Sequence, residues 1–435
     1  MNAGITMDDF SSYLNFVYSL KREGIKLDLG LTKSFARLIG NPESSFRSFH
    51  IAGSNGKGST AALIYNILSE KHRTGLYTSP HLVDFSERII SGREPIGRDY
   101  VIRFIESNMQ TVNSLMKENR NPTFFEFTTI MAFKYFQDTG ADMASVEVGL
   151  GGRLDSTNII TPLVSVITQV GYEHADKLGG SLTAIATEKA GIIKENVPAV
   201  LGDNKPEVVS TVRRIASLRN SRLFEVQKDA SISDVEYSLD GTSMKLQTPN
   251  REYKLKTTLT GVFQPRNLAA AVLAIEADDS LEISKASIER GVRKTRWPGR
   301  LQKICSKPVV LVDCAHNPPA ANALRISLNA LKIEKPLAVV GMLSDKDVFS
   351  FIKVLSQITD RVIFTTPDEP ERAVDPHKLY SMSHQLFREC KVIPDPREAY
   401  SKAKEAAELV LVTGSMYLVG TIMQMENVNT FPFDK

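Results

Sequence analysis

Cysteine is almost absent from this chain. Cys305, Cys314 and Cys390 are three thiols among 435 residues, too few and too scattered for a disulfide framework or a zinc site. A reducing compartment fits, and the cytoplasm is the expected location. Charge of one sign is also lacking. The formal net charge is +3, which gives no electrostatic case for nucleic acid. No apolar run is long enough to span a membrane. A basic start followed by a long apolar core is missing too, because Asp8 and Asp9 interrupt the N-terminus. Internal repeats, low-complexity segments and coiled coils are not seen. What remains is the profile of a globular enzyme, 42% hydrophobic and 24% charged, at a length that predicts two or three domains.

The most informative stretch is His50-Ile-Ala-Gly-Ser-Asn-Gly-Lys-Gly-Ser-Thr60. A short extended run from Phe49 to Ala52 enters glycines at 53, 56 and 58, and a helix is expected from Ser59. Strand, glycine loop and helix make a phosphate cradle. Glycines let backbone N–H groups approach phosphate oxygens, the helix N-terminus adds its dipole, and Lys57 adds a full charge. A hydroxyl beside the lysine can ligate Mg²⁺. The spacing departs from the usual P-loop, since Gly53 and Gly56 are too close and Gly58 separates Lys57 from Ser59. A structural glycine turn is the competing reading, but it leaves Lys57 and two hydroxyls unexplained.

Strands and helices alternate from about 48 to 201, which predicts a mostly parallel sheet with functional loops at its strand C-termini. Residues 7–39 read as helices and connectors, leaving no room for a large separate domain ahead of the loop. Leu82 to Pro95 reads as a charged loop. Thr123 with Glu126 forms a capping-box signature for a helix running to about Asp138. Residues 222–260 change character: four short strand-like runs, with Asp240-Gly241 as a hairpin turn, predict a small antiparallel sheet attached to the first domain. A second α/β series starts after Trp297-Pro-Gly-Arg300, with strands expected at 309–313, 337–341, 361–365, 391–393 and 409–413. Helices are expected between them at 319–331, 346–357, 375–389 and 396–407. The expected fold is therefore α/β. A P-loop ATPase-like domain at 1–296 has a mostly parallel sheet plus a small antiparallel one. A smaller, doubly wound, Rossmann-like domain occupies 297–435.

Several residues suit chemistry and also have plainer readings. Glu147 at a strand end is a metal ligand or half of an ion pair. His174 is a ligand or a loop histidine, although Mg²⁺ prefers oxygen. Lys189 by itself reads as a surface lysine. Asp313 at the end of a strand can bond a ribose hydroxyl, and Asn317 behind it suits a helix cap. Arg300 can grip a phosphate with both arms or form an interdomain ion pair. Asn267 opens a helix.

Six stretches occur in order: Gly53-Ser-Asn-Gly-Lys-Gly-Ser-Thr60, Tyr77-Thr-Ser-Pro-His81, Glu147-Val-Gly-Leu-Gly-Gly-Arg-Leu-Asp-Ser-Thr-Asn158, Glu188-Lys-Ala-Gly191, Trp297-Pro-Gly-Arg300 and Asp313-Cys-Ala-His-Asn-Pro318. Together they resemble the Mur ligase superfamily and, within it, the folylpolyglutamate synthase/dihydrofolate synthase family. The likeness runs from about residue 10 to 420. The irregular P-loop spacing is how this family writes the motif.

The resemblance implies an ATP-dependent amide ligase that adds L-glutamate to dihydropteroate or to folates through an acyl phosphate. It implies that Asn55, Gly56, Lys57, Gly58, Ser59 and Thr60 hold the ATP phosphates, and that Asn267, Arg300 and Asp313 also contact ATP. Ser79 and Glu147 are implied ligands of one Mg²⁺, and His174 of a second; a monovalent cation belongs to the expected set. Lys189 matches a lysine carbamylated in many members, which replaces the surface-lysine reading. His316 is implied in phosphate or glutamate handling. The pterin is expected near Thr123, Phe124, Phe125 and Glu126 and near Leu154, Asp155 and Ser156, with Phe124 or Phe125 stacking on the ring. A monomer, free of nucleic acid and membrane, is expected.

Two departures from the family pattern stand out. Glu173 replaces the usual Asp before the metal histidine, and the loop from Lys177 to Thr183 carries an added glycine. Two other functions fit the sequence less well. A cell-wall amino-acid ligase of the same superfamily carries a UDP-binding domain ahead of the P-loop, and few residues precede it here. A nucleotide-dependent switch needs the P-loop but not Lys189, Arg300 and Asp313 in these contexts.

Overall fold

The computed structural model describes residues 10–20, 28–117, 121–172 and 175–434. Contacts divide the chain into two compact units. The first comprises Met1–His81, Ser86–Asp229 and Ala270–Ser287; the second comprises Leu82–Phe85, Ala230–Ala269 and Ile288–Lys435.

The first unit is built on an eight-stranded sheet. Its spatial order is Glu94–Pro95, Ile89–Ser91, Thr74–Tyr77, Met143–Glu147, Arg47–Ala52, Val164–Ile167, Ala199–Leu201 and Leu223–Glu225. The last six run parallel. Arg47–Ala52 lies near the middle, and every residue in it after Arg47 is buried, as a strand covered on both faces requires. Register pairs Ile51 with Glu147 and His50 with both Val146 and Ser165. The carboxyl ends of these strands thus deliver the glycine loop and Glu147 side by side.

Two local expectations change. The run at 222–225 does not join an antiparallel sheet: Leu223–Glu225 extends the large sheet parallel to Ala199–Leu201. The helix Pro206–Leu218 supplies the crossover that parallel pairing needs. The stretch from Leu82 to Pro95 is not all loop. Ile89–Ser91 and Glu94–Pro95 form a hairpin whose two turn residues, Gly92 and Arg93, have φ of 58° and 70°, the backbone of a tight primed turn.

The small antiparallel sheet, expected on the first domain, groups by its contacts with the second unit: Ser231–Ser238, Gly241–Gln247 and Glu252–Thr257 form three strands, with the expected turn before Gly241. A six-stranded sheet follows the order Gln302–Ser306, Val309–Val312, Leu409–Thr413, Leu337–Val340, Arg361–Phe364 and Glu389–Val392. All its pairings are parallel except the first. Side chains alternate across it. Leu311, Val340 and Leu411 meet Leu324, Leu328 and Phe351 on one face, while Val310, Val312 and Val410 meet Tyr400, Leu418 and Ile422 on the other. Helices on both faces make the doubly wound arrangement expected. The edge strand Gln302–Ser306 and the helix Met416–Met425 were not anticipated. The helix expected to run to 389 stops at Ser383.

Candidate active site

The glycine loop is held from one side by the end of the neighbouring strand. Gln169 O accepts from the N–H groups of Ser54 at 2.7 Å and Asn55 at 3.2 Å. Ser54 Oγ donates to Gly171 O at 3.0 Å and accepts from Gly171 N at 2.9 Å. The Thr168 hydroxyl lies 3.1 Å from Ala52 O and 2.9 Å from Asn55 O. Gly53 must be glycine: its φ is +152°, and a Cβ there would lie 1.8 Å from Thr168 Oγ1. Gly56 follows at φ 88° as the residue before the helix Lys57–Leu68. The first N–H groups of that helix have no partner within it and point out of its end, the donors a phosphate needs. Ser59 and Thr60 are buried in the first turn, and Thr60 Oγ1 has no hydrogen-bond partner among the described residues.

Other site candidates gather around this loop. Lys189 is the penultimate residue of the helix Leu182–Ala190 and is buried, not a surface residue. Its Nζ donates to Gly53 O at 2.8 Å. Glu147 is buried, and its Oε2 accepts from Ser79 N at 3.2 Å. Two of the expected metal ligands therefore touch. Among the described residues no three His, Cys, Asp or Glu side chains form a metal-binding group. The expected donors are instead a hydroxyl and a carboxylate, oxygen groups of the kind Mg²⁺ takes. His174 and Glu173 lie outside the described residues.

The residues expected at the pterin differ in availability. Thr123 and Glu126 spend their polar groups on the capping box: Glu126 Oε2 accepts from Thr123 N at 2.8 Å, and Thr123 Oγ1 from Glu126 N at 3.2 Å. Phe124 is buried, stacked on Tyr18 at 5.7 Å, with the Arg88 guanidinium 5.1 Å from its ring. Phe125 is half-buried and lies against Gly149, where a Cβ would meet its ring at 2.4 Å. Tyr77 is 5.9 Å from it. Leu154 is half-buried, while Asp155 and Ser156 are buried. Asp155 Oδ2 accepts from Leu150 N at 2.8 Å, and Oδ1 from Thr157 N at 3.0 Å and from the Thr157 hydroxyl. Burial pushes its pKa up, and these bonds restrain the rise.

In the second unit Asp313 is buried, and its two oxygens are taken by Leu301 N and Ala315 N, each at 2.8 Å. Burial raises its pKa, and the Arg300 charge opposes that. Arg300 Nη1 donates to Gly299 O at 3.1 Å, and His316 Nδ1 to Cys314 O at 2.8 Å. Asn317 caps the helix Pro318–Ala330 by accepting from Ala320 N, as its plainer reading held. Asn267 Nδ2 donates to Gln264 Oε1 at 3.1 Å. Sequence reasoning passed over Gln264, whose Nε2 is buried without a partner among the described residues. It also passed over Thr168, Gln169 and Gly171. Their only signal was that a strand next to the glycine loop's own strand ends there.

A glycine loop fixed at a strand end, a buried lysine on its backbone and a carboxylate beside it define a nucleotide-binding α/β enzyme that handles a phosphoryl group. Comparison with known proteins carries this further. Residues 51–275 match the Mur ligase middle domain, and residues 299–416 match the Mur ligase glutamate ligase domain. The chain is 34% identical to the dihydrofolate synthase/folylpolyglutamate synthase of Bacillus subtilis over 418 residues, 94% of this chain and 97% of that one. It matches a folylpolyglutamate synthase of Mycobacterium tuberculosis, solved in complex with ADP and AMPPCP. The TM-score is 0.89 at 29% identity, over 97% of this chain and 100% of the other. A solved FPGS–AMPPCP–folate complex matches with a TM-score of 0.85 at 29% identity, over 96% of this chain and 99% of the other. The chain belongs to the Mur ligase family and, within it, to the folylpolyglutamate synthase/dihydrofolate synthase group. It is an ATP-dependent carboxylate–amine ligase.

Proposed function

We propose that the chain joins L-glutamate to a pterin acid, either dihydropteroate or the γ-carboxylate of a folate. A carboxylate oxygen of the acid attacks the γ-phosphorus of ATP, and ADP leaves. The glutamate amine then attacks the acyl carbon, loses a proton, and phosphate leaves with the electrons of the broken C–O bond. Such chemistry needs positioning and charge neutralisation more than covalent help. The observation that carries the reading is the glycine loop bonded to Lys189, with the buried Glu147 bonded to Ser79 in the same unit.

In this reading Lys57 and the N–H groups from Asn55 to Thr60 bind the β- and γ-phosphates. Asn267, Arg300 and Asp313 contact ATP, and His316 assists with phosphate or glutamate. Ser79 and Glu147 would hold one Mg²⁺, and the Thr60 hydroxyl, without a partner among the described residues, is a further oxygen donor in the first turn of the helix after the loop. His174 would hold a second, and a monovalent cation completes the set. A bound Mg²⁺ supplies positive charge to the phosphate oxygens. Lys189 would carry a carbamate. A carbamate nitrogen keeps one N–H, so the bond to Gly53 O survives that change. Phe125, less enclosed than Phe124, would stack on the pterin, with Leu154, Asp155 and Ser156 near it. The folate complex of the solved relative supports this substrate class.

The matched family domains, 51–275 and 299–416, support a functional division into 1–296 and 297–435. We propose a monomer working in the cytoplasm. The free cysteines Cys305, Cys314 and Cys390 suit that compartment, and among the described residues no helix is long and apolar enough to cross a membrane. Incubation with ATP, glutamate and, separately, dihydropteroate, tetrahydrofolate and its methylene form, read by product mass, tests the substrate. A glutamylated product from at least one acid is expected. No product from any of them sinks the proposal.

A further inference from the structure

His50 has no part in the reaction above, yet it is fully buried on the strand that feeds the glycine loop. Its Nε2 lies 2.8 Å from Thr157 Oγ1. Thr157 has one hydroxyl proton and gives it to Asp155 Oδ1, so it accepts from His50. That puts a proton on Nε2, while Nδ1, buried without a partner among the described residues, is the unprotonated nitrogen of a neutral ring. Asp155 extends the chain of bonds to Leu150 N at 2.8 Å and to Thr157 N at 3.0 Å. The network ties the middle of a central strand to both ends of the 149–158 loop.

That loop is also keyed to the helix end carrying Lys189. Arg153 N donates to Glu188 O at 2.8 Å, and a Cβ on Gly191 would meet Arg153 Cβ at 2.3 Å. Ser54 and Asn55 of the glycine loop have separate ties, through Thr168, Gln169 and Gly171, and none of these passes through His50.

We propose that His50 is a positioning residue for the acid substrate: through Thr157 and Asp155 it sets the loop that presents Leu154, Asp155 and Ser156. The proposal rests on reading that loop as the pterin contact. Because Ser54 and Asn55 have their own ties, and the network reaches Gly53 indirectly through Arg153, Glu188 and Lys189, disturbing the network weakens the acid far more than the nucleotide. A residue that serves stability alone does not produce that split.

The test uses paired variants of the full chain, with KM for dihydropteroate or folate, kcat, ADP affinity by calorimetry and Tm. His50→Leu and Thr157→Val remove the donor and the hydroxyl; each is expected to raise KM for the acid about tenfold or more, with ADP affinity within about twofold. His50→Gln and Thr157→Ser keep a donor and a hydroxyl and are expected to restore most of the loss. Leu154→Ala separates the proposal from the reading beneath it. If that variant leaves KM for the acid unchanged, the loop is not the contact and the underlying reading falls. If Leu154→Ala raises KM while His50→Leu and Thr157→Val do not, the positioning role is overturned. Parallel loss of ADP affinity and Tm in those two variants, or failure of both to fold, makes the network purely structural and overturns it as well.

Discussion

Lys189 Nζ donates to the carbonyl oxygen of Gly53 at 2.8 Å, within a buried setting. A lysine rarely gives up solvent without a charged or polar purpose. The bond places it on the first glycine of the phosphate loop. As the proposed carbamate it would offer anionic oxygens beside that loop. Lys189→Ala is expected to lose most activity, and short carboxylic acids such as acetate or formate are expected to restore part of it by replacing those oxygens. A folded, ADP-binding variant with full activity and no response to acids contradicts the carbamate role.

Lys57 is the first residue of the helix Lys57–Leu68 and half-buried. Lys57→Ala removes the charge proposed to meet the γ-phosphate as it transfers. The expected loss in kcat is at least about a thousandfold. Steady-state kinetics check it, and near-normal kcat refutes the placement.

Gly53 tolerates no side chain, because a Cβ would meet the Thr168 hydroxyl at 1.8 Å. Gly53→Ala must displace either the loop or Thr168, whose hydroxyl lies against Ala52 O and Asn55 O. ADP affinity is expected to fall about tenfold or more, since the amides proposed to bind phosphate lose their alignment. Gly97→Ala, with nothing within 4 Å of its Cβ position, serves as the control. Calorimetry showing equal ADP affinity in the two variants rules out the steric account.

Burial holds the His50 pKa well below 6.5, with Lys194 adding to the effect. The unfolded chain therefore takes up this proton first. Stability from the neutral histidine is present above about pH 6.5 and is lost as pH falls below it, by up to about 1.4 kcal/mol per pH unit. Asp155 and Asp313 act with opposite sign. Burial raises their pKa values above 3.8, so ionising them lowers stability as pH rises through the window above that value. Urea unfolding at about pH 7.5 and about pH 5.5 is expected to show a smaller acid loss for His50→Gln than for the native chain. Equal losses contradict a buried neutral histidine.

Much of this is legible in the sequence itself, for identifiable reasons. Alternating strands and helices carried both parallel sheets, and Thr123 with Glu126 carried a helix start, because periodicity and capping are local. The glycines and Lys57 carried the phosphate loop. Pairing partners were less legible. Leu223–Glu225 has the look of any short strand, and only the crossover through Pro206–Leu218 assigns it to the large sheet. Lys189 alone looked like a surface lysine, since nothing in its helix reports that its amine meets Gly53 from 136 positions away. The same distance in sequence hid His50 from Thr157, which is 107 positions on. Phe124 and Phe125 are adjacent and alike in sequence; their tertiary neighbours tell them apart, Tyr18 and Arg88 covering Phe124 while Phe125 lies half-buried against Gly149.

The most direct measurement of the central claim is phosphate release from ATP with the acid and glutamate supplied singly and together. Release is expected only when dihydropteroate or a folate and L-glutamate are both present, in step with a product one glutamyl residue heavier. Release from nucleotide alone, unaffected by either substrate, would contradict ligation.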